Sequence, residues 1–157
     1  MAEGIVGPRT LGRIQAMRAL YQEDVGGPQA ELSLDYLIQQ GRDEEDDEEE
    51  GKGRQDGREG ALAFAQEIVA GVRAARPIID DLINRFSKDW PLGRIAPVER
   101  NILRIAIWEL LYQPQTPRSV VIHEALEMAK TYGGADSSRY IHGVLGQVAR
   151  TLEEERP

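Results

Sequence analysis

The stretch "APVERNILRIAIWELLY", residues 96–112, is the most apolar helical pattern in the sequence. A helix through it would carry apolar side chains around most of its circumference, namely Ile102, Leu103, Ile105, Ala106, Ile107, Leu110 and Leu111. Such a helix has to be surrounded by other elements. Pro97 can occupy its first turn, where backbone amides have no acceptor within the helix. The stretch therefore predicts a central, buried helix that ends before Pro114.

The segments on either side have the same helical periodicity. Apolar side chains recur every three or four residues within 9–24, 31–40, 62–76, 78–86, 119–132 and 137–152. No segment shows the alternation that is typical of a strand. Because short connections favour antiparallel neighbours, the sequence predicts an all-α fold of about seven helices in two small packed bundles.

Helix boundaries are predicted from proline, glycine and capping residues. Pro77 is expected to separate two helices. Gly133 and Gly134 are expected to supply a left-handed exit from the helix before them. Asp136 or Ser137 is expected to cap the last helix by accepting a hydrogen bond from its free amides.

The predicted domain runs over residues 9–152, with subdomains of about 9–75 and 76–152. Residues 1–8 are expected to be a flexible N-terminus, and residues 153–157 a C-terminal tail. The segment "GRDEEDDEEEGKGRQDGREG", residues 41–60, contains the eight consecutive carboxylates of Asp43 to Glu50, and the whole chain has a formal charge of −8. Glycines and like charges cannot bury apolar area, so 41–60 is expected to be an acidic, disordered insertion.

Catalytic patterns are missing from the sequence. The chain has no cysteine, which excludes a disulfide framework or a thiolate nucleophile and fits a reducing cytoplasm. His123 and His142 lack the spacing of a helical metal pair, and "YGGADSS" lacks the lysine of a phosphate-binding loop. No apolar run approaches the roughly 18 residues of a membrane span. We interpret the chain as a cytoplasmic protein that is not an enzyme, with no cofactor, metal or membrane partner.

Three stretches in order carry a family resemblance: "RTLGRIQAMRALYQ" (9–22), "VERNILRIAIWELLY" (98–112) and "VVIHEALEMAKTYGGADSSRYIHGVLGQVAR" (120–150). Over about 9–40 and 60–152 the chain resembles the NusB family of transcription antitermination factors. The resemblance implies two packed helical bundles and single-stranded boxA-type RNA of ribosomal RNA operons as the ligand. It also implies heterodimerisation with NusE, a small-subunit ribosomal protein, within the transcription elongation complex.

The resemblance implies two groups of RNA-binding residues. Arg9 and Arg13 match an arginine-rich stretch of the family that meets RNA phosphates, and at a spacing of four they share one helix face. The residues between them stand where the family is richer in arginine, which lowers the number of phosphate contacts. Ordinary solvated surface is the alternative for this pair. Arg139 and Tyr140 match a basic and an aromatic position that can bind a phosphate and an unstacked base.

Several of these positions have a structural alternative. Tyr140 adjoins an apolar stripe that begins at Ile141, so it can instead belong to the core. Glu99 and Asp136 match acidic family positions that face NusE, but a carboxylate at a helix start also interacts favourably with the helix dipole. Arg104, inside the apolar central helix, is expected to be a structural arginine.

Two other functions fit the sequence. The chain could be the RNA-binding module of a separate RNA methyltransferase chain, or a purely structural protein-interaction domain that forms a homodimer. The acidic run also has an alternative to a disordered insertion: it could repel RNA, or fold over Arg9 and Arg13 as a mimic of phosphate.

Overall fold

The computed structural model describes residues 7–26, 52–87 and 92–155. These residues form five α-helices and one 3₁₀ turn (Leu92–Arg94), and they contain no strand: α1 is Pro8–Gly26, α2 Lys52–Phe86, α3 Pro97–Tyr112, α4 Arg118–Tyr132 and α5 Ser137–Glu154. The all-α class is therefore confirmed, whereas about seven helices was wrong for the described part of the chain. The helix expected over 31–40 lies outside the described residues.

The two helices expected on either side of Pro77 are one continuous helix, α2. Proline inside a helix removes one hydrogen bond and costs about 3 kcal/mol. Here Pro77 is exposed, so its ring lies on the outer face of the helix. The buried positions keep their helical phase across it: Ile68, Val72, Ala75, Ile79 and Ile83. Continuous burial of this stripe outweighs the cost of the proline.

The start of α2 corrects part of the expected disordered insertion over 41–60. The helix begins at Lys52, so residues 52–60 are helical, and only 41–51 lie outside the described residues. Adding turns to an existing helix costs much less than starting one. A Cβ on Gly57 or Gly60 would lie 3.8 Å from the Pro8 side chain, so the first residue of α1 lies close to this turn of α2.

The chain separates into two compact units, Met1–Ala70 and Gly71–Pro157. The division falls within α2, and the boundary near 75 and 76 stays a prediction. In the first unit the described core comes from α1 and the first half of α2: Ala16, Met17, Ala19, Leu20, Ala61, Phe64, Ala65, Ile68 and Val69. Alanine supplies four of these nine residues, so the two helices can lie close together.

The second unit is built around α3. Residues 101–110 are all buried, which confirms the predicted central helix. It begins at Pro97 and ends at Tyr112, as expected. Helices α4 and α5 pack against α3 and against each other. Their buried side chains follow the predicted stripes closely: Val121, Ala125, Met128, Ala129, Ile141, Val144, Leu145 and Val148.

Arg104 is, with Glu109, one of the two charged side chains that α3 carries into this core. It is 4% exposed, which confirms that it is a structural arginine. Its Nε and Nη2 donate to the two carboxylate oxygens of Asp80 at 2.8 and 3.1 Å, and its Nη1 donates to Asn101 Oδ1 at 3.1 Å. This paired arrangement compensates part of the cost of burying the guanidinium.

A close contact fixes the indole of Trp108 against α2. A Cβ on Gly71 would lie 2.1 Å from Trp108 Nε1, a distance that no real Cβ can have. Trp108 is 5% exposed, so its ring has little room to move away. Glycine is therefore required at position 71 by the volume of the indole.

Replacing Asp80 by alanine would leave the Arg104 guanidinium buried without its carboxylate. We expect the free energy of unfolding to fall by about 3 kcal/mol, at the lower end of the range for broken buried pairs because Asp80 is 20% exposed. Glu127→Ala, which breaks an exposed pair with Lys130, should cost less than about 1 kcal/mol. Denaturant unfolding measures both. Equal losses in the two variants would contradict the structural role of Arg104.

Replacing Gly71 by alanine should force the indole of Trp108 out of place. We expect a loss of about 1–3 kcal/mol in unfolding free energy, as for other overpacked cores, together with a shift in tryptophan fluorescence. Gly143→Ala on α5 is the matched control, since a Cβ there meets nothing within 4 Å. That control should be stabilising by up to about 1 kcal/mol because alanine favours helix. A Gly71→Ala protein as stable as the control would refute the contact.

Candidate nucleic-acid and partner interface

An open cavity of about 290 Å³ lies between the start of α3 and the turn that joins α4 to α5. Its lining is Arg94, Ile95, Ala96, Glu99, Gly134, Ala135, Asp136, Ser137 and Tyr140. Three residues predicted to be functional, Glu99, Asp136 and Tyr140, are thus brought together in one place. The family resemblance implied a protein partner for the first two and RNA for the third, with a structural role as the alternative for each.

The carboxylate of Glu99 is bound to the turn between α4 and α5. Its Oε1 accepts a hydrogen bond from the Gly134 amide at 3.0 Å and another from the Ser137 hydroxyl. Burial alone would raise the pKa of Glu99, but the hydrogen bonds from Ser137, from Gly134 and from its own backbone amide outweigh burial and lower the pKa. The group is therefore ionised at neutral pH.

The conformation of Gly133 corrects the expected left-handed exit. Gly133 is extended, with φ −93° and ψ 179°, and Gly134 is not left-handed either. The need for glycine comes from space: a Cβ on Gly133 would lie 2.7 Å from both the Ala129 carbonyl oxygen and Ser137 Oγ. Glycine at 133 thus lets α4 and α5 approach each other closely.

The start of α5 differs from the expected cap. Asp136 occupies the N-cap position, but its side chain makes no capping hydrogen bond. Its backbone, with φ −105° and ψ 7°, is outside the extended region from which cap side chains reach back to the helix. Ser137 donates to Glu99 instead. The Asp136 carboxylate is exposed and lies at the rim of the cavity.

Tyr140 is half-buried and its ring forms part of the cavity wall. Its hydroxyl is hydrogen-bonded to the hydroxyl of Ser87, which is 5% exposed. Burial raises the pKa of Tyr140, and the bond with Ser87 offsets only part of that rise. The neighbouring Arg139 is exposed on α5 and is not part of the cavity lining.

In the first unit, Arg9 and Arg13 both lie against the ring of Phe64. Their guanidinium carbons are 4.0 and 5.3 Å from the ring centroid, within the range of a cation–π interaction. Arg9 is exposed, as expected. Arg13 is only 2% exposed, which contradicts the alternative of ordinary solvated surface for this residue. Its assignment to RNA stays a prediction. Arg13 is positioned to pack rather than to meet a ligand directly.

Gly12 explains why Arg13 is buried. A Cβ at position 12 would lie 2.8 Å from the Ala61 carbonyl oxygen and 3.1 Å from a ring carbon of Phe64. Helix α1 therefore approaches α2 closely at this glycine, and the adjacent Arg13 is drawn into the contact. The apolar recurrence noted within 9–24 includes Leu11 and Ile14, and both are only partly buried.

Phe64 and Ser87 are two site residues that sequence reasoning missed. Phe64 follows Ala61 by three residues and precedes Ile68 by four, so the helical spacing itself could have placed it on the buried face. Ser87 gives no such signal, since it pairs with Tyr140 at a separation of 53 residues. Only the fold brings these two hydroxyls together.

The described residues offer no other evident chemistry. His123 and His142 are both exposed. Within the described ranges there is no group of three or more His, Cys, Asp or Glu side chains that could hold a metal ion. None of the helices described is long and apolar enough to cross a membrane.

Comparison with known proteins identifies the family. The model of the NusB family matches residues 10–150. The transcription antitermination protein NusB of Myxococcus xanthus is 38% identical over 149 residues, which cover 95% of this chain and 99% of that protein. The protein of the same name from Heliobacterium modesticaldum is 39% identical over 148 residues, 94% of this chain but 65% of that longer protein.

Solved structures agree with this assignment. NusB of T. maritima has a TM-score of 0.74 and 29% identity, with 93% of each chain covered. A crystal structure of the antitermination factors NusB and NusE in complex with double-stranded RNA has a TM-score of 0.70 over 92% of this chain and 97% of that one. At 22% identity, this second likeness shows the fold alone. On the family model and the near-full-length relatives together, the chain belongs to the NusB family.

Proposed function

We propose that this protein is a non-catalytic transcription antitermination factor. It binds single-stranded boxA-type RNA of ribosomal RNA operons together with NusE, in the transcription elongation complex and hence in the cytoplasm. The observation that carries the proposal is the match over 95% of the chain to a protein named for transcription antitermination. A structure of similar fold that holds NusB, NusE and RNA supports the choice of partners.

In this proposal Arg139 and Tyr140 form the RNA surface of the second unit. The exposed Arg139 guanidinium can neutralise a phosphate. The half-buried Tyr140 ring, tethered through its hydroxyl to Ser87, presents a fixed face to an unstacked base. A ring held in place loses less conformational freedom when a base stacks on it, which favours binding.

Arg9 is the direct phosphate contact of the first unit in this proposal, and Arg13 supports it. Arg9 is exposed, and its guanidinium carbon lies 4.0 Å from the centre of the Phe64 ring. The contact with the ring orients the guanidinium and does not neutralise its positive charge. Arg13, buried on the same ring, adds positive charge close by. With one direct contact here, we propose that affinity depends strongly on the partner.

The acidic residues fit a basic partner such as a ribosomal protein. Asp136 is exposed at the rim of the cavity, where a lysine or arginine of NusE can reach it. Glu99 is ionised and adds to the negative potential there, although its Oε1 is already bound within the chain. We therefore assign the direct contact to Asp136 and an indirect role to Glu99.

A fluorescence anisotropy titration tests the proposed function. Labelled single-stranded boxA RNA should bind more tightly than a scrambled strand of equal length, and addition of NusE should strengthen binding. A double-stranded form of the same RNA belongs in the comparison, since a structure of similar fold holds double-stranded RNA. Equal affinity for the boxA and scrambled strands in the presence of NusE would refute the proposed function.

The salt dependence of the same titration separates the roles of Arg9 and Arg13. Arg9→Ala should weaken binding and make the slope of log K against log salt shallower by about 0.7, the value for one lost phosphate contact on a single strand. Arg13→Ala should weaken binding with a smaller change in slope, and should also destabilise the fold. Arg150→Ala removes an exposed arginine near the end of α5 and controls for net charge. A slope change in Arg150→Ala as large as that in Arg9→Ala would contradict a specific contact at Arg9.

A further inference from the structure

The turn between α4 and α5 is tied to α3 at a single carboxylate oxygen. Glu99 Oε1 accepts hydrogen bonds from Gly134 in this turn and from Ser137, the first residue of α5. The two donors are three residues apart and lie on either side of Asp136. Because both bonds end on an ionised acceptor, they are stronger than bonds between neutral groups.

Backbone hydrogen bonds also shape the turn: the Ser137 amide donates to the Gly134 carbonyl oxygen at 3.1 Å, and the Gly133 amide donates to the Ala129 carbonyl oxygen at 2.9 Å. The Asp136 side chain makes no capping bond, so it does not satisfy the free amides of α5. Gly133 and Gly134 lower the intrinsic stiffness of the segment, since glycine loses more backbone entropy on folding than other residues. The bonds to Glu99 add to the backbone bonds and tie the start of α5 to α3.

The residues that the proposed function needs follow directly after this turn. Arg139 and Tyr140 are the third and fourth residues of α5, so a change in the start of the helix moves both of them. Ser87 holds Tyr140 by its hydroxyl at the far end of the ring. Glu99 and Ser87 thus secure the start of α5 at two separate points.

Glu99 is unsuited to touching RNA itself. A charged carboxylate repels phosphates, and this one lines the same cavity as Tyr140. The position of Glu99 in this cavity is explained if RNA binding requires the hydrogen bonds that Glu99 makes to the turn and does not require its charge. A carboxylate whose lone pairs on one oxygen are used within the chain is also a poorer partner for a basic protein than the exposed Asp136.

We infer that Glu99 is a positioning residue, which fixes the α4–α5 turn so that Arg139 and Tyr140 face the RNA and Asp136 faces the partner. The inference rests on the proposed function, and it replaces the direct partner contact that the sequence had suggested for Glu99. In this inference the oxygen of Glu99 that accepts the hydrogen bonds matters, and the negative charge of its carboxylate does not. Substitutions can remove one of these two properties and keep the other.

The test compares Glu99→Gln with Glu99→Ala. Glutamine keeps an oxygen at the same place and loses the charge, so it should bind boxA RNA and NusE within about threefold of the unchanged chain. Alanine removes the acceptor, so binding of both should weaken about tenfold, the effect of losing a hydrogen bond to a charged group. Ser137→Ala should give part of the alanine effect, and the double variant should be non-additive. Glu127→Ala, an exposed carboxylate of α4, is the matched control and should change neither affinity.

Amide hydrogen exchange tests the hydrogen bonds between Glu99 and the α4–α5 turn in the absence of any ligand. The Gly134 amide should be protected in the unchanged chain and in Glu99→Gln, and it should exchange faster in Glu99→Ala while the amides of residues 101–110 keep their protection. Loss of NusE binding in Glu99→Gln with Gly134 still protected would overturn the inference and restore a direct charge contact. Unchanged protection of Gly134 in Glu99→Ala would overturn it as well.

These outcomes are distinct from failure of the proposed function. If the unchanged chain does not prefer boxA RNA, the proposed function fails, and the exchange experiment still decides whether Glu99 holds the turn. If the unchanged chain prefers boxA RNA and Glu99→Ala binds it equally well, only the positioning role fails.

Discussion

The complete burial of α3 is the constraint on which the second unit depends. Ten consecutive residues, 101–110, are buried, so each polar group among them requires an internal partner. Asn101 donates to the Pro97 carbonyl oxygen at 2.7 Å, and Arg104 binds Asp80 through two nitrogens. A helix so enclosed can present functional side chains only near its ends. The candidate site lies beside its start, where the partly accessible Glu99 lines the cavity.

The cavity beside α3 combines groups that would oppose each other if each acted directly on the same ligand. Two carboxylates, Glu99 and Asp136, share the lining with Tyr140, while RNA is repelled by negative charge. The hydrogen bonds give the two carboxylates different surroundings. Glu99 is bound to the turn, whereas Asp136 is exposed and available to a basic protein. Within the proposed function, this one region would bind RNA through Tyr140 and a basic protein through Asp136.

The sequence predicted those parts of the fold that depend on neighbouring residues, and it failed where contacts between distant residues decide the structure. The apolar circumference of α3 and the stripes of α4 and α5 were enough to predict those helices, because burial of large side chains dominates there. Pro77 was misleading, because its local cost is smaller than the gain from a stripe that stays in phase on both sides. Gly133 was misleading for another reason, since glycine is required there by contact with Ser137 and not by a left-handed backbone. Contacts such as that between Ser87 and Tyr140 depend on the completed fold and have no local signal.

The scarcity of arginine in α1 also has a physical explanation in the structure. Position 12, one of the positions at which the resemblance implied more arginine, can hold no side chain here, because a Cβ would already lie 2.8 Å from the Ala61 carbonyl oxygen. An arginine at this position would require α1 to move away from α2, and the shared stacking of Arg9 and Arg13 on Phe64 would then be lost. Close packing and a denser row of arginines are therefore mutually exclusive at this point of α1. It follows, within the proposed function, that phosphate binding by α1 falls mainly to Arg9, and that the remaining affinity has to come from α5 and from the protein partner.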